Sequence, residues 1–469
     1  MKRHDDMRFV LLIMALILSS SSLSVSAAVP HSYQIEHVDS LCAAASVTGN
    51  YTSKWTRLNK YLVEGTNGWV YRSESDLVED FRQAEEYHGL ARLKAALNNQ
   101  GTELVLMYIP TRGLINPDNI PDGSFNYDRA KQSYGETLAK IRKLGVIVPD
   151  FEAMIEKYRG DQTFYYKRDS HWSPTGAKIT AEYVADTLRQ SLSLDFSHKS
   201  DVVITKQGSY AIRSDIGLGV KHLCRDQYIT EYVQGYGYEE LNTDSALSSD
   251  HADTQVVLIG GSFTALPNLN FLGFLRNELK IPVDNYAMEN GGLLGAWLRY
   301  FDSQALFKHP PKVIIWDISS YYPLDNDNTF AQLVPLAEGG CKKKHPLLHK
   351  SFTEYDPDSG STALYFGEKA QGVRLRDLIF ELDFPTAGVN RVKYRAWYSD
   401  GQVKSVELKK NERADTGGSF IFEFSNNLLS PSGSLIALEI TEIGNASAIE
   451  YKRKVSQKGI ELKICTRRG

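Results

Sequence analysis

Gln255-Val-Val-Leu-Ile-Gly-Gly-Ser262-Phe-Thr-Ala265 is the stretch on which the fold turns. Val256 to Ile259 is an unbroken apolar run with no polar alternation, as expected of a strand covered on both faces. Gly260 and Gly261 end it, and a serine follows at once, placing Ser262 at the strand's carboxyl end. In open α/β sheets that edge is where sites form. Glycines there allow a tight turn and close approach of a substrate, and the next backbone N–H groups could face an oxyanion. No glycine stands two residues after Ser262, so this is not the G-x-S-x-G elbow of a typical α/β-hydrolase. An ordinary strand-to-helix turn would look the same in isolation.

Similar short apolar runs lie on either side. Leu104 to Ile109 stops at Pro110, Val146 to Val148 stops at Pro149, and Val313 to Trp316 runs into Asp317. Helical stretches separate them, over about Ala84–Asn98, Arg129–Leu144, Thr175–Leu192 and Asn270–Leu279. Apolar strands alternating with helices predict an α/β domain built on a parallel sheet. After about Lys344 the pattern changes to short strands between turn signals such as Asp356-Pro-Asp-Ser-Gly360, Asp400-Gly401 and Ser430-Pro-Ser-Gly433. Phe420–Phe424 and Leu435–Ile440 are two of these strands. The tail therefore reads as an all-β sandwich or barrel.

A second constellation precedes the helix that opens at Ser173-Pro174, an N-cap followed by proline at the first helical position. The loop leading in is Tyr165-Tyr-Lys-Arg-Asp169-Ser-His171-Trp. In an extended loop, Asp169 and His171 put both side chains on one side, so the carboxylate could hold one imidazole nitrogen while the other faces a cleft. A capping aspartate with a surface histidine is the bland reading. Metal binding would need further ligands, and none with suitable spacing is evident. Ser262, His171 and Asp169 together supply a nucleophile, its base and the group that orients the base. Arg112, after the strand ending at Pro110, and Arg299 and Tyr322 could reach the same cleft, although a structural role is the commoner one for each. Such chemistry requires no metal or cofactor.

The composition is that of a folded protein: 469 residues, 42% hydrophobic, 23% charged and 11% aromatic. Disorder, collagen and coiled coil are excluded. The net charge of -4 shows no overall bias towards nucleic acid. Residues 342–469 nonetheless carry 21 Lys and Arg against 16 Asp and Glu, while the rest carries 32 against 41. A basic tail on an acidic body predicts a negatively charged partner for the tail. Its strand Arg391-Val-Lys393-Tyr-Arg395-Ala-Trp397-Tyr398 would put Arg391, Lys393, Arg395 and Trp397 on one face. Those cations could meet the carboxylates of an acidic polysaccharide while the ring stacks on a sugar.

Residues 1–28 read as a signal peptide. Lys2, Arg3 and Arg8 precede a ten-residue apolar run, Phe9 to Leu18, too short to span a membrane. Val25-Ser-Ala-Ala28 suits cleavage near Ala27 or Ala28. Export makes nucleic acid an implausible ligand for the tail. The four cysteines, Cys42, Cys224, Cys341 and Cys465, form no CxxC pair, and an even number in an exported chain predicts two disulfides. Three pairings are available. The spacing favours Cys341 with Cys465, which bracket the tail, and Cys42 with Cys224.

Taken together, the Gly68-Trp69 turn, Asp169-Ser-His171-Trp-Ser-Pro-Thr-Gly, Gly260-Gly-Ser262-Phe and the four-cysteine layout resemble the AlgX family of periplasmic alginate O-acetyltransferases. The resemblance covers essentially the whole chain after residue 28. It implies an SGNH-hydrolase-like domain over 29–341, followed by a β-sandwich carbohydrate-binding module over 342–469. It also implies Ser262, His171 and Asp169 as catalytic groups, in the permuted order that sets this family apart from SGNH enzymes with an early serine. Lys393, Arg395 and Trp397 would bind polymannuronate, although Arg395 stands where a small polar residue is expected. The same disulfide pairing is implied. So are a membrane-bound acyl-donor system and other periplasmic alginate proteins as partners. An acetylesterase or a silent polysaccharide-binding scaffold would share these features.

Overall fold

The computed structural model describes residues 34–35, 41–82, 86–197, 201–212, 214–225, 230–241, 254–342, 344–352, 362–365, 374–386, 388–410, 414, 416–425, 428–444 and 459–467. The segment read as a signal peptide and the Asp356–Gly360 turn lie outside them.

Four parallel strands form the central sheet, in the order Val283–Asn285, Val256–Ile259, Val313–Ser319, Glu103–Ile109. The register pairs Ile259 with Trp316 and Tyr108 with Ile318. The three longer strands are buried at nearly every position, on both parities, so helices cover both faces of the sheet. These include His88–Asn98, Tyr127–Lys143, Pro174–Ser191, Phe271–Leu279 and Asp327–Ala337. Parallel pairing brings Pro110, Gly260 and Ser320 to one edge of the sheet.

Two sequence expectations need correction. Val146–Val148 is no ladder strand; only Ile147 bridges Val105. The segment is three residues long between Gly145, at φ +76°, and Pro149, which has no N–H to give a ladder. The helix predicted from Ala84 begins at His88. Two elements were not foreseen: Val283–Asn285, and an antiparallel ribbon of Val202–Ile212 with Glu231–Glu240, edged by Gln34–Ile35. Between the ribbon strands runs the helix Asp215–Cys224. Its last residue is bonded to Cys42, while Cys341 is bonded to Cys465.

The tail is a sandwich of two four-stranded antiparallel sheets. One orders Leu348–Phe352, Ile460–Thr466, Leu378–Asp383 and Ser419–Phe422; the other Thr362–Tyr365, Leu435–Gly444, Arg391–Tyr398 and Val403–Lys409. Tyr394 of the second sheet packs on Phe422 of the first, with ring centroids 5.3 Å apart. A core separate from that of the α/β domain forms around them. The two parts meet where Arg92 forks onto Glu423 (Nη2–Oε2 2.7 Å) and Glu423 N–H donates to Ala331 O at 2.9 Å.

Candidate active site

The loop before the helix Pro174–Ser191 is shaped by its own backbone. Tyr165 and Trp172 form an antiparallel bridge, and Ser173 N–H donates to Phe164 O at 2.8 Å. Ser173 Oγ caps the helix by accepting from Thr175 N–H at 3.0 Å. Gly176 is required here, because a Cβ would lie 2.2 Å from Phe164 O. Asp169 and Ser170 stand at the tip of the narrow turn.

Three outside elements fix that tip. Glu231, fully buried at the start of its ribbon strand, accepts from Lys167 N–H at 3.0 Å and Arg168 N–H at 2.5 Å. Arg112 donates to Tyr166 O (2.9 Å) and Lys167 O (2.7 Å) while paired with Asp76 at 2.7 Å. It lies over the rings of Trp69 and Tyr71. Val70 N–H of the hairpin Leu62–Glu64/Val70–Arg72 donates to Lys167 O at 3.0 Å. Arg112 is thus a buried strut rather than a cleft residue, and the Gly68-Trp69 turn buttresses the histidine loop.

On this frame, His171 Nδ1 is 2.6 Å from Asp169 Oδ1, and His171 Nε2 is 2.7 Å from Ser262 Oγ. Asp169 also accepts from His171 N–H at 2.9 Å and from Asp215 N–H at 2.8 Å. Burial opposes its charge, but His171 and these N–H donors outweigh it and hold the carboxyl down to about 2. Burial likewise disfavours the imidazolium. Asp169, reinforced by Asp215, reverses the balance and raises His171 above its ordinary value. Phe263, next to the serine, packs on His171 and edge-on to Trp172, each at 4.9 Å between ring centroids. The two loops are therefore held together by packing as well as by the hydrogen bond.

Ser262 opens the one-turn helix Ser262–Ala265, whose first N–H groups have no intrahelical acceptor. Gly261 N–H donates to Asp317 Oδ2 at 3.0 Å. Those of Ser262 and of Phe263, the next residue in the chain, meet no acceptor among the described residues. The arrangement has the parts needed for acyl transfer: a hydroxyl nucleophile, a base, its orienting carboxylate and two N–H groups for an oxyanion.

A third carboxylate, invisible to sequence reasoning, completes the surroundings. Asp215 accepts from Ser170 N–H at 2.8 Å and Ser170 Oγ–H at 2.5 Å, and its ligand atoms lie within 4.8 Å of those of Asp169 and His171. The spacing of the loop gave no third metal-type ligand; the fold supplies one. Its oxygens, like those of Asp169, are engaged by N–H and O–H donors, which suits a hydrogen-bonded relay.

The other candidates are more dispersed. Tyr322 follows the end of strand Val313–Ser319, lies at a tilt against Tyr321 with ring centroids 4.7 Å apart and is 38% exposed. Arg299 lies exposed on the helix Gly295–Asp302 over the ring of Tyr286, at 6.0 Å. Among the described residues, no hydrogen bond or ion pair joins either to Ser262, His171 or Asp169. In the sandwich, Arg391–Tyr398 alternates as its sequence predicts, with Val392, Tyr394, Ala396 and Tyr398 buried and the cations and Trp397 outward. The outward face is not a bare cationic stripe. Lys393 pairs with Glu442 at 2.6 Å, Arg395 with Glu439 at 3.6 Å, and Trp397 Nε1–H donates to Glu439 at 2.9 Å. Arg391 also pairs with Glu442.

A parallel sheet with serine at one strand end and Asp-x-His on a neighbouring loop defines an SGNH-hydrolase-like protein, here with a β-sandwich module appended. The family model described as "SGNH hydrolase-like domain, acetyltransferase AlgX" matches residues 62–320, and that of a C-terminal carbohydrate-binding module matches 340–469. The chain belongs to the AlgX family. It is 28% identical to the alginate biosynthesis protein AlgX of Pseudomonas aeruginosa over 431 residues, covering 91% of this chain and 90% of that one. The Pseudomonas fluorescens AlgX is 29% identical, covering 97% and 94%. The probable alginate O-acetylase AlgJ of Pseudomonas syringae pv. tomato is 28% identical over 284 residues, covering 57% and 70%. The solved structure of Pseudomonas aeruginosa AlgX superposes with a TM-score of 0.79 at 27% identity, covering 91% of this chain and all of that one.

Proposed function

We propose that this chain is a periplasmic O-acetyltransferase that acetylates hydroxyls of polymannuronate during alginate biosynthesis. The observation that carries the reading is the continuous relay from Ser262 Oγ through His171 to Asp169, with contacts of 2.7 and 2.6 Å. The names of the AlgX and AlgJ relatives supply the polymer and the acyl group. Two disulfides suit an oxidising compartment.

In the first half-reaction His171 Nε2 takes the proton of Ser262 Oγ as that oxygen attacks the acetyl carbonyl. The tetrahedral oxyanion is met by the N–H groups of Ser262 and Phe263. The imidazolium then protonates the leaving group, and acetyl-Ser262 remains. In the second, His171 deprotonates a mannuronate hydroxyl, which attacks the acetyl-serine, and the proton returns to Ser262 Oγ. Asp169 keeps the Nδ1–H tautomer and stabilises the imidazolium in both.

The sandwich, over about 342–469, would hold the polymer through Trp397, Lys393 and Arg395. Because each cation already has a glutamate, stacking on Trp397 contributes more than net charge does. The donor would come from a membrane-bound acyltransferase system, with other alginate proteins of the periplasm as neighbours. Replacing Ser262 with Ala should abolish acetyl transfer to mannuronate oligomers while leaving their binding to the module intact. Transfer at the parental rate would remove Ser262 from its role.

A further inference from the structure

One buried acid takes no part in the chemistry just described. Asp317 lies in strand Val313–Ser319 directly after Trp316, the last partner of Ile259. Beyond that pair the serine strand gives way to Gly260-Gly261, and the Asp317 side chain fills the place where the ladder stops. Asp317 is 5% exposed, and no Lys, Arg or His pairs with it among the described residues. Its Oδ2 accepts from Gly261 N–H at 3.0 Å and from Thr264 Oγ1–H. These donors lie one residue before and two residues after Ser262. The approach is so close that a Cβ on Gly260 would stand 2.1 Å from Oδ2. Gly260 is therefore the residue that admits the carboxyl beneath the turn.

We propose that Asp317 is a positioning residue for the nucleophile. By fastening both sides of the Ser262 turn to the neighbouring strand, it sets Ser262 Oγ against His171 and keeps the Ser262 and Phe263 amides clear for the oxyanion. The cost of the arrangement is visible in the acid itself. Burial raises Asp317 to about 6, against the pull of Thr264, Gly261 and the more distant charge of His171. A carboxylate kept in so unfavourable a place, with no ion pair among the described residues, is accounted for by what it holds.

The inference rests on Ser262 being the nucleophile, so S262A accompanies the test on the full mature chain. The substrate is a chromogenic acetyl ester, and active sites are counted by the burst of acetyl-enzyme formation. D317A should lower kcat per active site by about 10–100-fold, with KM changed less than about threefold, because a displaced nucleophile loses rate rather than ground-state binding. D317N keeps an oxygen acceptor for both donors and should recover to within about fivefold of the parent. If D317A does not fold, T264V, which removes one of the two donors, should still lower kcat per site by about 3–10-fold. Parental kcat per site in D317A or, failing that variant, in T264V overturns the inference. So does a D317N no better than D317A, since lost packing alone would then suffice. An active S262A overturns the function itself; a dead S262A beside an unaffected D317A overturns only the role of Asp317.

Discussion

Replacing Asp169 with Asn tests how the relay works. In the parent, the carboxyl falls from its ordinary 3.8 to about 2 despite burial. That fall is a preference for the charged form strong enough to outweigh the cost of burial. Part of it comes from the Asp215 and His171 backbone N–H groups, which remain in the mutant; the rest is attraction to the imidazolium at 2.6 Å. By reciprocity that attraction is also what lifts His171, whose burial alone would lower it. Activity needs neutral His171, so the acid limb of the parent's kcat/KM profile should lie above the ordinary histidine value. In D169N the limb should move to lower pH, because the carboxylate that outweighs burial at His171 is gone. The plateau should fall as well. An asparagine that turns its NH2 towards Nδ1 favours the proton on Nε2, which then cannot accept from Ser262, a defect of about 10³–10⁴-fold in comparable triads. Initial rates of acetyl-ester cleavage between about pH 5 and 9 read both quantities. An acid limb that stays in place, or a plateau rate equal to the parent's, would refute the assignment of Asp169.

Glu231 accepts two loop amides while fully buried, so E231A should destabilise the fold by about 2–4 kcal/mol in urea unfolding and slow catalysis, with E231Q milder on both counts. On the module, W397A should weaken binding of mannuronate oligomers by about 5–15-fold, measured calorimetrically. E442Q should act in the opposite sense. By releasing Lys393, while Arg391 keeps Glu407 at 3.7 Å, it should tighten binding by about 2–5-fold at low salt, with the gain lost near 0.5 M salt.

The parts of the fold legible in the sequence are those set by local pattern. Val256–Ile259 and Glu103–Ile109 announce themselves as buried strands because every position is apolar or nearly so. The alternation of Arg391–Tyr398 foretells its two faces residue by residue. Val283-Asp-Asn285 gives no such signal, being three residues long with two of them polar. The ribbon was hidden by Lys206-Gln-Gly-Ser209, where the register slips, and by Gly235 and Gly237 in its partner strand. At the site, Ser262, His171 and Asp169 could be picked out because short motifs around turns carry them. Asp215, Glu231 and Asp317 could not. Each is a single acid without a motif, and its role depends on which backbone N–H groups the fold delivers to it from distant segments. The glutamates opposite Lys393 and Arg395 were missed for a related reason, since cross-strand partners are fixed by register.

The central claim is that Ser262 carries the acetyl group from donor to sugar. The most direct measurement incubates the mature protein with an acetyl ester and short mannuronate oligomers, then weighs both protein and sugar by mass spectrometry, with S262A in parallel. The account predicts one acetyl group on a peptide containing Ser262, a matching acetyl gain on the oligomer, and neither in S262A. Acetylated oligomer formed equally well by S262A, or tight oligomer binding with no acetyl on either partner, would contradict it.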